Sequence, residues 1–102
     1  GYAKVPTGIA SEIPEGYEVI IRPRSGLAFE HGLQVHPGTI DSGYRGEWLV
    51  QVYNHSYASY LVSAGERIAQ GALRPIPIVN IEEVDDLEES SRGEGGFGST
   101  GY

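Results

Sequence analysis

The chain has 102 residues and a mass of 11.0 kDa, which allows one small domain whose own hydrophobic core would be marginal. Its formal net charge of −7 argues against nucleic acid as a partner, because phosphate backbones are bound by clustered Lys and Arg. It contains no cysteine for a disulfide or a thiolate metal site, which leaves the redox compartment open. It also contains no apolar run long enough to span a membrane, so we expect a soluble protein. We expect it to be intracellular, with cytoplasm, nucleus and organelle not distinguished by the sequence.

Short runs rich in β-branched and aromatic residues follow one another between turns, which predicts strands. Val19 and Ile21 alternate with polar neighbours, and four further runs have a similar character: residues 48–53, 57–62, 68–73 and 76–81. Clusters of Gly, Pro, Asn and Ser separate these runs. Several short strands at close spacing predict an all-β fold of the sandwich or jelly-roll kind.

One segment breaks this pattern and predicts a short helix. Ser25 is a good N-cap, residues 27–31 can form one or two turns, and Gly32 can supply a left-handed C-terminal cap. The first turn would leave the amide of Gly26 unpaired beside Arg24, an arrangement that suits a phosphate group. An ordinary capped helix without a ligand fits the same residues equally well.

Asp41 stands in a glycine-flanked segment, residues 38–46, that would permit a tight hairpin. A carboxylate held there could orient and deprotonate a water molecule, and the ring of Tyr44 could face a sugar. Aspartates in turns more often cap the backbone, so this segment alone leaves both interpretations open.

Gln70 follows a turn and enters an apolar strand, where its amide needs a partner that is either a ligand or the neighbouring backbone. The three histidines do not have the spacing of a zinc site, and the sequence contains no nucleophile elbow. The acidic run at residues 82–89 is typical of a solvated connector.

The last eleven residues, 92–102, combine five glycines with one arginine, two aromatic rings and a Ser-Thr pair. Glycine lets backbone amides approach phosphate oxygens closely, Arg92 can hold a phosphate, and Phe97 can stack on a base. The composition therefore predicts either a nucleotide lid or a disordered tail. Its G-x-G-x-x-G pattern is not a dinucleotide fingerprint, because too few residues remain to form the helix that must follow.

Four segments taken together resemble four of the five motifs of trimeric dUTPases, in the order and approximate spacing of that family. They are Pro23-Arg24-Ser25-Gly26-Leu27-Ala28, residues 38–46, residues 65–70, and residues 92–101 with an almost complete RGEGGFGSTG. Val5-Pro6-Thr7-Gly8 and Asn54-His55-Ser56 are also similar to the family. Any one motif is weak, but four in sequence are hard to produce by chance, and the resemblance covers nearly the whole chain.

The resemblance implies a dUTPase-like domain at residues 1–90, folded as a distorted jelly-roll β-barrel with one short helix, and a flexible Gly-rich C-terminal lid at residues 91–102. It implies a homotrimer with shared active sites that hydrolyses dUTP to dUMP and pyrophosphate, which limits uracil in DNA and supplies dUMP for dTTP synthesis. It also implies Mg²⁺ as cofactor, held through substrate phosphates and water without protein ligands.

By the same resemblance, Asp41 would position and activate the water that attacks the α-phosphorus. Tyr44 would pack on the deoxyribose and exclude a 2′-hydroxyl, while backbone groups around Gly38 and Leu49 would read the uracil edge. The remaining implied substrate contacts are Arg24, Ser25, Gly26 and Gln70 at the phosphates, Arg92, Ser99 and Thr100 at the γ-phosphate, Gly98 in the lid, and Phe97 stacked over uracil.

The chain departs from the family at its first motif, an Ala-Gly-x-Asp segment expected ahead of Val5, which is not among the 102 residues. That departure leaves an alternative open, a catalytically impaired dUTPase-like protein that binds nucleotide or a regulatory partner. The related dCTP deaminases share the fold but do not normally end in this lid, so deamination ranks low.

Overall fold

The computed structural model describes residues 1–97, which form two three-stranded antiparallel sheets and one helix. The strands are β1 (Tyr2–Pro6), β2 (Tyr17–Pro23), β3 (Leu33–Val35), β4 (Gly38–Asp41), β5 (Leu49–Asn54) and β6 (Ala69–Pro75), and the helix is α1 (Ser25–His31). The strand orders are β1-β5-β3 and β4-β2-β6. The predicted all-β class with one short helix is confirmed. Within the described part of the chain, no helix has the length and apolar character needed to cross a membrane.

Apolar side chains from both sheets meet in one core. Because successive residues of a strand point to opposite faces, Val19 and Ile21 of β2 turn inward together and are 7% and 4% exposed. Arg22, the next residue of β2, is exposed. The predicted alternation of apolar and polar side chains is confirmed. The other core residues are Leu33 and Val35 of β3, Val50 and Val52 of β5, and the loop residues Ile13 and Ile68.

Strands β1 and β3 were not predicted from the sequence. Strand β3 has three residues, and β1 has only one side chain that is not exposed, so neither carries a clear local pattern. Both pair with β5, in a register that places Val5 opposite Val50 and Val35 opposite Val52. Pairing with the central strand β5, and not local propensity, therefore determines the two edge strands β1 and β3.

Residues 57–62 do not form the predicted strand. The side chain of Asn54 organises the chain after β5 as a turn: its Oδ1 accepts the backbone N–H of Ser56 at 2.9 Å, and its Nδ2 donates to the carbonyl of Ala58 at 2.9 Å. Such side-chain bonds compete with a strand ladder for the backbone. The prediction was wrong because the aromatic run begins inside this turn.

Residues 76–81 do not form the predicted strand either, and they begin an extended arm, which we define as residues 76–97. Ile78 is 95% exposed and Ile81 is 97% exposed, and the acidic residues 82–89 are exposed as expected of a connector. The radius of gyration is 19.1 Å, compared with about 13 Å for a compact domain of this length. A β-branched run without a neighbouring strand thus stays extended and uncovered in the single chain.

Helix α1 begins at Ser25, so Arg24 occupies the N-cap position in an extended conformation and the prediction of Ser25 as N-cap was wrong. No side chain forms a capping hydrogen bond at that end. At the other end, Gly32 has φ 66° and its N–H bonds to the carbonyl of Ala28 at 3.1 Å. The predicted left-handed C-terminal cap is confirmed.

Replacing Gly32 by alanine is expected to lower the free energy of unfolding by about 1–2 kcal/mol, the cost of a left-handed conformation for a residue with a Cβ. That Cβ would also lie 3.3 Å from Cβ of Ser56. Denaturant titration at a fixed chain concentration measures the change. Gly26→Ala is the matched control, because Gly26 lies in the same helix with room for a Cβ and without a positive φ. An equal loss in both variants would contradict the role of the cap.

Candidate active site

One cavity of about 460 Å³ gathers four residues that were predicted to hold phosphate, namely Arg24, Ser25, Gly26 and Gln70. They meet because β6 pairs with β2 in a register that places Gln70 opposite the last residues of β2, just before α1. The amide Nε2 of Gln70 donates to the carbonyl of Pro23 at 3.0 Å, so its partner in this structure is the neighbouring backbone. We call this cavity the phosphate half-site.

The phosphate half-site also contains carboxylates, Glu30 and Glu66. The hydroxyl of Tyr60 donates to Oε2 of Glu66 at 2.7 Å, and this bond to a charged acceptor, with a smaller contribution from desolvation, raises the pKa of Tyr60. The ring of His31 packs on Tyr60 with a centroid distance of 4.8 Å and lies 3.9 Å from the Glu30 carboxylate. The Glu66 carboxylate is thus engaged by a neutral donor within the cavity.

A second cavity of about 240 Å³ contains Asp41, Tyr44 and Leu49, the residues predicted for water activation and for sugar and uracil recognition. The predicted tight hairpin is wrong here. Strand β4 pairs with β2, whereas β5 pairs with β1 and β3, so residues 42–48 cross from one sheet to the other. A turn closed by the N–H of Tyr44 on the carbonyl of Asp41, at 3.1 Å, starts this crossing. We call residues 42–48 the arch and this cavity the Asp41 half-site.

The ring of Tyr44 folds back across the arch. Its hydroxyl donates to the carbonyl of Glu47 at 2.8 Å. A Cβ on Gly46 would lie 2.6 Å from Oη of Tyr44 and 2.7 Å from Cζ, and Gly46 does not have a positive φ. This glycine is therefore needed for space beneath the ring and not for backbone freedom. Tyr44 is 43% exposed and lines the Asp41 half-site.

Charges beside Asp41 are arranged across three strands. Glu18 of β2 lies directly opposite Asp41 of β4, a juxtaposition of like charges that is unfavourable in a sheet. Arg74 of β6 lies opposite Glu18 on its other side and donates Nε to Glu18 Oε2 at 2.8 Å. Arg74 therefore offsets the charge of the carboxylate next to Asp41.

The two half-sites lie at opposite ends of β2. Asp41 pairs with Glu18 near the start of the strand, whereas Gln70 pairs with Arg22 near its end and Ser25 follows that end. At the usual rise of a strand, the stretch from Glu18 to Ser25 spans roughly 20 Å. A single chain consequently does not bring the Asp41 carboxylate next to the phosphate half-site.

The other predicted site residues lie apart from both cavities. Gly38 is half-buried in β4, opposite Ile21 and at the far end of the strand from Asp41. Arg92 and Phe97 are exposed in the arm, where Nε of Arg92 donates to the carbonyl of Gly95. Gly98, Ser99 and Thr100 lie outside the described residues.

Residues 1–97 contain no cluster of three or more His, Asp or Glu side chains that could hold a metal ion. A magnesium ion carried by substrate needs no such cluster, because Mg²⁺ usually keeps several waters and takes phosphate oxygens as ligands. The phosphate half-site, with Arg24, Arg67 and the start of α1, is compatible with a metal–phosphate group of that kind.

Sequence reasoning did not assign Arg67 or Glu47, although both line a half-site. Arg67 stands inside the 65–70 segment between residues that were recognised, so the motif itself held a signal. Glu47 makes its side-chain contact with Gly8, 39 residues earlier, and no local pattern reveals such a pair.

Comparisons with known proteins identify the family of this chain. The dUTPase family model matches residues 1–101. The deoxyuridine 5'-triphosphate nucleotidohydrolase of Nautilia profundicola is 54% identical over 99 residues, which cover 95% of this chain and 70% of that protein. The protein of the same name from Clostridium tetani is 54% identical over 102 residues, which cover 98% of this chain and 70% of the relative.

Solved structures give the same result. A point mutant of the dUTPase of Staphylococcus bacteriophage 80alpha, with dUpNHpp, has a TM-score of 0.86 and 28% identity, over 100% of this chain and 77% of that one. A point mutant of the dUTPase of phage phi11 of S. aureus, described with a structural Mg(II) ion, has a TM-score of 0.74 and 25% identity, over 87% of this chain and 75% of that one. This chain belongs to the dUTPase family.

Proposed function

We propose that this chain hydrolyses dUTP to dUMP and pyrophosphate, the reaction for which its family is named. The observation that carries the proposal is the presence of two complementary half-sites, one with a carboxylate beside an aromatic ring and one with arginines, Gln70 and the start of a helix. The reaction limits uracil in DNA and supplies dUMP for dTTP synthesis. No feature of either half-site favours the impaired alternative.

In the proposed mechanism, Asp41 orients a water molecule and accepts its proton as the water oxygen attacks the α-phosphorus. The bond from the α-phosphorus to the bridging oxygen breaks, and pyrophosphate leaves with the electron pair. A carboxylate is a modest base, so much of the rate must come from placing the water and from donors aimed at the phosphate oxygens. Mg²⁺, when bound to those oxygens, neutralises phosphate charge.

The remaining residues bind and orient the substrate in this proposal. Tyr44 packs on the deoxyribose face and leaves no room for a 2′-hydroxyl, and backbone groups at Gly38 and Leu49 read the uracil edge. The phosphates are held by Arg24, Ser25, Gly26 and Gln70, and the lid at residues 91–102 adds Phe97 over uracil and Arg92, Gly98, Ser99 and Thr100 near the γ-phosphate.

We also propose that complete sites form between chains of a homotrimer. The two half-sites of one chain lie at opposite ends of β2, which supports this proposal. A complete site would combine the Asp41 half-site of one chain with the phosphate half-site of another. The exposed apolar side chains of the arm support it as well, since oligomerisation would cover them. The domain at residues 1–90 would supply both half-sites, and the lid of one chain would close over a site of its neighbours.

Pyrophosphate release from dUTP in the presence of Mg²⁺ tests the proposed activity. We expect kcat/KM for UTP to be lower by at least about 10²-fold, because the proposed packing of Tyr44 leaves no room for the 2′-hydroxyl. We expect dTTP to be turned over more slowly than dUTP as well. Equal turnover of the three nucleotides would contradict the proposal. Tight binding of a non-hydrolysable dUTP analogue without pyrophosphate release would favour the impaired alternative.

Mixing two impaired variants tests the shared site. Asp41→Asn damages one half-site and Arg24→Ala damages the other. In trimers assembled from equal amounts of the two chains, about one quarter of the sites would combine an intact Asp41 with an intact Arg24 from a different chain. Activity is expected to recover to that level after joint refolding. Recovery no greater than in either variant refolded alone would contradict sites formed between chains.

A further inference from the structure

A short segment after β1 ties the N-terminal strand to the arch. We define this strap as residues 7–11. Five hydrogen bonds join it to Glu47 and Trp48, where the arch meets β5. No strap residue lines either half-site, yet the strap is hydrogen-bonded to the segment that carries Tyr44.

Thr7, the first residue of the strap, makes three hydrogen bonds. Its backbone N–H and its hydroxyl both donate to the carbonyl of Trp48, at 3.2 and 2.7 Å, and the hydroxyl also accepts the N–H of Ile9 at 3.1 Å. Trp48 donates its backbone N–H to the carbonyl of Ile9 at 2.8 Å and its ring Nε1–H to Oγ of Ser11 at 3.1 Å. Because Thr7 and Trp48 are half-buried, these bonds are partly shielded from competing water.

Glu47 connects the strap to the Asp41 half-site. Its Oε2 accepts the N–H of Gly8 at 2.9 Å, and its carbonyl accepts the hydroxyl of Tyr44 at 2.8 Å. A shift of Glu47 therefore moves the acceptor that holds the Tyr44 ring. Gly46 beneath the ring provides no side chain that could hold the ring in place instead.

We propose that the strap is a positioning element for the Tyr44 ring, with Thr7 as its positioning residue, and that it thereby sets the discrimination between dUTP and UTP. The inference rests on the proposed role of Tyr44 at the deoxyribose. A ring whose hydroxyl acceptor is fixed keeps the space beside C2′ closed. A ring whose acceptor drifts opens that space to a 2′-hydroxyl.

Thr7→Val and Thr7→Ser form a matched pair of variants. Valine keeps the side-chain shape without the hydroxyl, whereas serine keeps the hydroxyl. We expect the ratio of kcat/KM for dUTP to kcat/KM for UTP to fall about five-fold in Thr7→Val, the effect of losing one typical hydrogen bond, and to stay within about two-fold of the original in Thr7→Ser. A merely structural role would lower Tm or the active fraction and affect both substrates alike. An unchanged ratio in Thr7→Val would overturn the inference.

Hydrogen exchange in the nucleotide-free protein separates this inference from the proposed function. The peptide covering residues 42–48 is expected to exchange about five-fold faster in Thr7→Val than in Thr7→Ser, because the arch opens locally more often. Equal exchange would overturn the inference whether or not dUTP is hydrolysed. Faster exchange in a chain that hydrolyses no dUTP would instead refute the proposed function and leave the control of the arch by the strap standing.

A second pair of variants covers the case in which Thr7→Val does not fold. Glu47→Ala removes the exposed bond to Gly8, and Glu47→Gln retains an acceptor for it. The same two measurements apply. The alanine variant is expected to show the lower ratio of kcat/KM for dUTP to kcat/KM for UTP and the faster hydrogen exchange in residues 42–48. Equal results for the two variants in both measurements would overturn the inference.

Discussion

Asp41→Asn is expected to lower kcat for dUTP hydrolysis by about 10²–10⁴-fold, the usual contribution of a positioned general base. Asparagine has the shape of aspartate but cannot take the proton of the attacking water. The carbonyl of residue 41 still accepts the N–H of Tyr44, so the turn that begins the arch is kept. The affinity for a non-hydrolysable dUTP analogue should therefore change little. Pyrophosphate release and analogue binding, measured on the same preparation, separate the two effects.

Asp85→Asn is the control, since it makes the same charge change at an exposed position in the arm. We expect this variant to retain its full rate. Comparable losses in the two variants would show that net charge, and not a base at position 41, limits the reaction. An Asp41→Asn protein that keeps its rate would exclude Asp41 as the base.

Gly46→Ala is expected to lower kcat/KM for dUTP by about 10²-fold, because a displacement of about 1 Å at a positioning group can cost that much. The added Cβ would lie 2.6 Å from Oη of Tyr44, and the ring must move away to relieve the contact. The backbone tolerates alanine, since Gly46 does not have a positive φ. The loss should thus be one of substrate fit, with a smaller preference for dUTP over UTP and little change in Tm.

Gly43→Ala tests the same arch without the collision. A Cβ on Gly43 would have no heavy atom within 4 Å, and its φ is not positive. We expect this variant to keep both the rate and the nucleotide preference. The explanation fails if the two alanine variants behave alike, or if Gly46→Ala unfolds the protein without changing the preference of the fraction that remains folded.

Local sequence patterns predicted those parts of the fold that depend on nearby residues. The inward pair Val19 and Ile21 follows from strand alternation, and the end of α1 at Gly32 follows from the left-handed cap. The course of the arch could not be predicted from local patterns. Residues 41–44 specify a turn, but a turn does not determine which sheet each flanking strand joins. That outcome depends on pairing with β1 and β2, far away in the sequence.

The candidate site, too, could be predicted only in part. The sequence analysis assigned roles to three residues of the Asp41 half-site and to four of the phosphate half-site, so much of the chemistry of each could be predicted from residue type and from the resemblance. Their separation could not, because it depends on the registers that β4 and β6 adopt on β2. The bonds from the strap to Glu47 and Trp48 join residues 37 to 41 positions apart, and they too are visible only in the folded chain.

The placement of the half-sites at the two ends of β2 has a kinetic consequence. If complete sites form between chains, a dissociated subunit contributes nothing to turnover. Near the concentration at which subunits associate, the hydrolysis rate would then rise more steeply than in proportion to the amount of protein. A cell that halved its supply of the chain in that range would lose more than half of its capacity to remove dUTP.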